Sequence, residues 1–458
     1  MEMKPPAHRV LSAAQAPFRV WEAPIQQLQA AMAAGRVTSE ALVGMYLNRI
    51  AAYDQQGPVL NTLIRLNPRA AAEAAALDQE RKTKGPRGPL HGIPIVLKDN
   101  YDTQDLPTSA GSISLAGATP SRDAFITAKL RDAGAVLLGK TNLMEFAVGI
   151  TTLSSLGGQT RNPYDTARYP GGSSGGTGAA VAASFAAVGW GTDTCGSIRV
   201  PAAFNSLVGL RPTKGITSLH GIVPLSATQD VAAPLARTVT DLAIALDATV
   251  GLDSDDPAAA AWVARPMPHF VEALNANALR GVRIGAVKEF FGRNPVELPV
   301  SKVVRSALTR MQQAGAEVVD ISMPQLEAKA LSASVIAFEF RDNLAVYLAE
   351  LRDDFTLLNT SPGTSSPQYA KAMANRAALQ TLLRQTLTAN KLDALVYPTV
   401  RREPSLIGDP QTDPNCEPSA VSARASLRQG QLYVSLLTKQ NPRGALRGTL
   451  MPPPSSPW

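Results

Sequence analysis

The chain has 458 residues, 45% of them hydrophobic, so it can bury a large core as one big α/β domain or as two, and disorder is excluded as its basic state. Its two cysteines, Cys195 and Cys416, stand far apart, which implies free thiols in a reducing compartment rather than a disulfide framework. The formal charge is +7, but residues 418–458 carry Arg424, Arg428, Lys439, Arg443 and Arg447 and no acid, so the body is nearly balanced and nucleic acid is not an expected partner.

Trp21 to Asp54 reads as two helices divided at Gly35-Arg36-Val37, with Thr38 or Ser39 capping the second, where Leu42, Met45, Tyr46 and Ile50 recur at helical spacing. An alanine-rich helix follows over Pro68–Arg81, then a polar loop over Thr83–Pro89. Ile93–Leu97 is a continuous apolar run, the pattern of a strand buried on both faces, and Lys98 projects from its end. Asp123–Ala133 fits a helix capped by Asp123 and closed by Gly134, and Ala135–Leu138 is the next buried strand. No unbroken apolar run of about 18 residues is present to span a bilayer, and prolines interrupt the first residues, so neither a membrane partner nor a signal core is expected and a cytoplasmic location is.

Tyr169–Gly215 organises the rest. Tyr169-Pro170-Gly171-Gly172-Ser173-Ser174-Gly175-Gly176-Thr177-Gly178 leads into an alanine-rich helix and strand, and then into Gly191-Thr192-Asp193-Thr194-Cys195-Gly196-Ser197-Ile198-Arg199. Each serine loop is dense in glycine, which lets backbone N–H groups approach a bound oxygen, and a helix–strand return would bring Ser173 and Ser197 together. Residues 234–251 read as an amphipathic helix, Ser301–Gly315 as a helix before the strand Ala316–Ile321, and Gln325–Asn390 as helices interrupted at Asn359–Pro367. Leu392–Pro398 is the last core strand. The alternation of helices with short apolar strands argues for an α/β fold, a sheet covered by helices on both faces.

The two serine blocks, with His91-Gly92-Ile93-Pro94-Ile95-Val96-Leu97-Lys98-Asp99-Asn100 upstream and Gly209-Leu210-Arg211-Pro212-Thr213 downstream, resemble the amidase signature hydrolases from about Phe18 to about Ser422. The resemblance implies that family's mixed central sheet, no cofactor, and a Ser-Ser-Lys triad. Ser197 would be the nucleophile; Ser173, usually preceded by a cis peptide bond in the family, would relay its proton to a neutral Lys98. The substrate oxygen would be held by N–H groups of Thr194, Cys195, Gly196 and Ser197. Cys195 stands where the family commonly has glycine. Burial beside Ile95 and Leu97 would depress the Lys98 pKa, and alternation along a strand would turn Asp99 the other way.

Other chemistries fit less well. His8, His91, His220 and His269 sit in no recognisable triad motif, and a thiol nucleophile at Cys195 is set aside. Gly171-Gly172-Ser173-Ser174-Gly175 satisfies G-x-S-x-G, but no strand is expected directly before it. Gly134–Thr141 satisfies the P-loop pattern, yet its middle residues form an apolar strand rather than a phosphate cradle. No metal-ligand spacing such as H-E-x-x-H occurs.

The expected organisation is a catalytic domain over 1–422, helical at about 18–82, with variable helices lining the substrate entrance at about 325–390. An atypical basic tail, 423–458, ends in proline and serine and suggests a replaced C-terminus, in place of the strand pair that completes the family's sheet. The expected substrate is a small-molecule amide or urea: a simple amide, a peptide amide, an aryl amide or an N-aryl urea, with the unusual tail favouring a xenobiotic. A homodimer is compatible with this reading. The alternatives are a glutaminase like the A-subunit of a tRNA amidotransferase, and an inactive scaffold spoiled by its tail.

Overall fold

The computed structural model describes residues 18–351 and 363–408, together with the backbone of 436–438 and 441–446. Residues 359–362 of the Asn359–Pro367 interruption and most of the 423–458 tail therefore lie outside the described residues.

The N-terminal part holds α1 (Ile25–Ala33), α2 (Ser39–Tyr53), the strand β1 (Leu63–Leu66) and α3 (Ala70–Lys84). Thr38 caps α2, its hydroxyl accepting from Ala41 N at 3.1 Å, as its position before the apolar stripe predicts. β1 is a strand within the stretch expected to be helical; it joins the sheet edge, antiparallel to β3 (Val136–Thr141). Between them come β2 (Pro94–Lys98), buried along its whole length, and α4 (Phe125–Asp132). Asp123 does not cap α4: its carboxylate accepts from Gln104 N at 2.9 Å and pairs with Arg131 at 2.9 Å, so long-range partners take the oxygens a cap would use.

A two-stranded ribbon, β4 (Leu153–Ser154) and β5 (Gly158–Gln159), precedes α5 (Gly175–Ala182), β6 (Val188–Thr192), α6 (Arg199–Phe204) and β7 (Val208–Gly209). The stretch read as one helix over 234–251 opens instead as the strand β8 (Ala232–Ala236), because those residues pair antiparallel with β6. Its helix, α7 (Val239–Asp247), starts where Thr238 accepts from Asp241 N at 3.0 Å. The main sheet is six-stranded and mixed, in the order β1-β3-β2-β6-β8-β7, with β3-β2-β6 parallel.

The second half builds a three-stranded parallel sheet, β10-β9-β11, from β9 (Arg283–Val287), β10 (Glu317–Ile321) and β11 (Ala394–Val396). Its helices are α8 (Leu298–Gln313), α9 (Leu326–Ser332), α10 (Ile336–Leu351) and α11 (Pro367–Ala389). Further on, the backbone of β12 (Leu436–Thr438) and β13 (Asn441–Leu446) pairs antiparallel.

The main core joins Ile95, Val96 and Leu97 of β2, Leu137 and Leu138 of β3, Val188 and Trp190 of β6, Leu235 of β8 and Leu42, Tyr46 and Ile50 of α2. Each buried aliphatic or aromatic side chain contributes roughly 1.5–3 kcal/mol, which makes the ends of β2 and β6 rigid mounts. The α10 helix lays Leu344, Tyr347 and Leu348 against Ala110, Leu115 and Val223 in the loops around the main sheet, whereas Leu326 of α9 and Leu387 of α11 pack with Val287, Ile321 and Leu395 of the three-stranded sheet.

Candidate active site

Lys98 ends β2 and is fully buried. Its Nζ lies 2.7 Å from Ser173 Oγ and 2.8 Å from Thr192 Oγ1, the latter at the end of the neighbouring strand β6. Burial pushes the Lys98 pKa down to about 7, opposed only by the more distant charges of Asp230 and Asp193. An ammonium that loses its water and gains only hydroxyl partners prefers to shed its proton. Thr192 Oγ1 also accepts from Asn100 Nδ2 at 3.2 Å, which fixes it toward the lysine. Neither Thr192 nor Asn100 was singled out by the sequence; Thr192 lay in plain view inside the Gly-Thr-Asp run.

Ser173 is held by its own loop. The Gly172–Ser173 peptide bond is cis, the Ser173 carbonyl accepts from Met144 N at 3.0 Å, and no strand directly precedes the loop. Ser174 is a clamp rather than a flexible turn residue: its Oγ donates to Thr192 O at 3.1 Å and accepts from Thr192 N at 3.3 Å. Gly176 is required by close approach, since a Cβ there would stand 2.2 Å from the Asn142 carbonyl oxygen.

The second serine loop meets the first where Ser174 N donates to Ser197 O at 3.2 Å. Ser197 is buried, and among the described residues its hydroxyl has no hydrogen-bond partner. Asp193 braces this loop. Its carboxylate accepts from Gly196 N at 2.8 Å, Ile198 N at 3.2 Å and Arg199 Nε at 2.9 Å, and Arg211 Nη1 lies 3.2 Å away. Burial acts to raise that carboxyl, but Arg199 and Arg211 outweigh it and hold it far below the usual range.

The brace changes one expected role. The Gly196 N–H is committed to Asp193, so it does not face a substrate oxygen as the expected four-donor array requires. The Thr194 and Ser197 N–H groups have no acceptor among the described residues, and Cys195, between them, is partly exposed. Thr194 Oγ1 donates to Asp230 at 2.5 Å; sequence reading missed Asp230, whose pairing spans 36 positions.

The competing groups lie elsewhere. His91 Nε2 is 2.9 Å from Leu77 O, before the start of β2 and away from the Lys98 end of that strand. His220 Nδ1 lies 3.5 Å from both Asp253 and Asp255, the only set of candidate metal ligands among the described residues; Asp253 also accepts from Ser218, so these contacts tie two loops. The P-loop-like Lys140 is buried in an ion pair with Asp99 at 3.2 Å. An apolar cavity of about 200 Å³ lies between α6 and α8, lined by Phe204, Val304, Leu308, Val396 and Thr399, but Lys98, Ser173 and Ser197 do not line it. No helix among the described residues is long and apolar enough to cross a membrane.

The site therefore joins a buried lysine, a serine on a cis peptide and a second serine on an adjoining braced loop. The sequence profile of the Amidase family matches residues 41–440, and the chain belongs to that family, whose members act on amide carbon–nitrogen bonds. It is 41% identical over 322 residues to a glutamyl-tRNA(Gln) amidotransferase A-subunit from Halorhodospira halophila, covering 70% of this chain and 65% of that relative's length. The protein of the same name from Acidothermus cellulolyticus is 37% identical over 419 residues, covering 85% and 82%. The native peptide amidase of Stenotrophomonas maltophilia superposes with a TM-score of 0.75 at 38% identity, covering 89% of this chain and 88% of that one.

Proposed function

We propose that the chain is an amidohydrolase that forms an acyl-enzyme on Ser197, with Ser173 and neutral Lys98 moving the proton. Ser197 Oγ attacks the amide carbon as its proton passes to Ser173 Oγ, and the Ser173 proton passes to Lys98 Nζ. The carbonyl π electrons move onto oxygen, held by the N–H groups of Thr194, Cys195 and Ser197. Collapse of this intermediate expels the nitrogen, which takes a proton returned through Ser173, and the amine leaves. Water then enters, gives up a proton along the same relay and cleaves the ester, regenerating Ser197. Each step needs a base near neutral pH and a preorganised anion site, and no cofactor has to enter the balance.

The observation that carries this reading is the 2.7 Å contact between Ser173 and a lysine whose pKa burial lowers to about 7. The substrate class we favour is a small-molecule amide or urea, by likeness to the peptide amidase structure. Purified protein and its Ser197→Ala variant, screened by mass spectrometry across aliphatic amides, peptide amides, anilides and N-aryl ureas, test it. Amine release dependent on Ser197 is expected; equal release from both proteins refutes the mechanism.

The names of the sequence relatives favour a second reading, a glutaminase that serves as the A-subunit of an amidotransferase. It is distinguished by glutamine hydrolysis that emerges only when the other components of such a complex are supplied.

A further inference from the structure

Four consecutive residues, Ser226 to Gln229, are bonded one after another to the α9–α10 region. The buried Glu339 carboxylate on α10 accepts from the Ser226 hydroxyl, from Thr228 N at 3.1 Å and from the Thr228 hydroxyl. One turn later Asn343 Oδ1 accepts from Ala227 N at 2.7 Å, and Val335 N donates to Gln229 Oε1 at 2.7 Å. Tyr369 of α11 completes the cage, its hydroxyl donating to Glu339 at 2.9 Å. Burial acts to raise the Glu339 carboxyl, but hydrogen bonds from Ser226 and Thr228 outweigh it and keep the group an anion.

The same short loop faces the chemistry on its other side. Leu225 N and Ser226 N donate to Asp230 Oδ2 at 2.8 and 2.9 Å, and Asp230 Oδ1 accepts from Thr194 Oγ1 at 2.5 Å. Gln229 O accepts from Arg211, which also reaches Asp193, the brace of the Ser197 loop. Ser226 is the junction: its side chain reads Glu339 while its backbone reads Asp230.

We propose that Glu339 is a positioning residue that, by holding Ser226 and Thr228 to α10, sets Asp230 and through it Thr194 and the oxyanion end of the Ser197 loop. It touches no reacting atom. Its effect is to make the geometry of the anion site depend on the seating of the α10 and α11 helices, so that whatever these helices bind is felt at the nucleophile. The inference rests on the hydrolase reading above.

Glu339→Gln keeps the side chain's size but replaces one acceptor oxygen with an NH2 group that cannot accept from Ser226, Thr228 or Tyr369. A fluorophosphonate that phosphonylates Ser197 is the probe, since it needs nucleophile and anion site alike, whatever the amide. In the full chain E339Q is expected to lower kinact about 10- to 100-fold, with KI changed by less than about threefold. Thr194→Val, which removes the hydroxyl facing Asp230, is expected to slow the otherwise native chain comparably, yet to add less than about threefold in the E339Q background, because both act on one loop.

Native kinact in folded E339Q, or losses that simply multiply in the double variant, overturns the proposal. Where E339Q does not fold, Ser226→Ala carries the test, since it deletes one donor to Glu339 and leaves the Ser226 N–H bond to Asp230. It is expected to lower kinact about tenfold, and native kinact in folded S226A overturns the proposal just as surely. Native protein that is not labelled at all refutes the hydrolase reading beneath it, whereas labelling that E339Q leaves unchanged refutes only the role of Glu339.

Discussion

Lowering pH should switch the nucleophile off through Lys98. With a pKa of about 7, the lysine is half neutral near neutral pH and about one-hundredth neutral two pH units lower. Ser197 phosphonylation by a fluorophosphonate should therefore slow about tenfold per unit below about pH 6 and level off above about pH 8. Its pKa falls from an ordinary 10.5 to about 7, a difference of roughly 5 kcal/mol against the charged form in the folded state. The same shift governs stability. Above about pH 10.5 both folded and unfolded lysine are neutral and nothing is lost. As pH falls toward about 7 the unfolded chain binds a proton that the folded one refuses, so stability declines by about 1.4 kcal/mol per unit and is constant below. Urea unfolding across this range, followed by the fluorescence of buried Trp190, should show that decline in the native chain and not in Lys98→Met. A labelling rate flat between about pH 5 and about pH 7, or stability curves of the two proteins that run parallel, would refute a neutral Lys98.

Ser173→Ala should keep the fold and lower Ser197 labelling by about 100-fold or more, measured beside an unchanged urea midpoint, because it removes the relay and leaves the anion site. Thr192→Val deletes the second partner of Lys98 Nζ and should lower the same rate about tenfold. Asp193→Ala leaves Arg199 and Arg211 buried without their carboxylate and should cost about 3–5 kcal/mol in urea unfolding. Gly176→Ala drives a Cβ against the Asn142 carbonyl and should cost roughly 1–3 kcal/mol in the same assay.

The serine loops were legible because glycine density, small residues and their order are local facts, and the structure brings Lys98 Nζ to 2.7 Å from Ser173 Oγ and joins the two loops between Ser174 N and Ser197 O. Strands at β2 and β3 were legible for a related reason: continuous apolar runs betray burial on both faces. What was not legible depends on pairing across long stretches of chain. Thr192 becomes a partner of Lys98 only when β2 and β6 align, 94 positions apart. Ala232–Ala236 has little strand propensity of its own, and its pairing with β6 decides its state. Gly196 looked like a free donor, but a carboxylate three residues earlier turns back to take its N–H, a local loop geometry that residue types alone do not show.

The two buried lysines show how the fold separates the base we propose from a structural charge. In the β2–β3 register Leu97 stands beside Lys140 and Lys98 beside Thr141, so alternation sends the two lysines to opposite faces of the sheet. Asp99, the next residue after Lys98, falls on the Lys140 side and pairs with it at 3.2 Å. Burial lowers the Lys140 pKa too, but Asp99 works against that shift at contact distance, and Thr108 Oγ1 accepts from Lys140 Nζ at 3.0 Å. Lys98 hydrogen-bonds only to hydroxyls, and the more distant Asp230 and Asp193 offset its burial only in part. Lys140→Met should accordingly destabilise the protein, by about 3–5 kcal/mol, because it strands Asp99, while leaving the pH midpoint of Ser197 labelling where it was. A midpoint that moves with Lys140 would mean that the base at work is not Lys98 alone, and that the alternation of the strand does not insulate one lysine from the other.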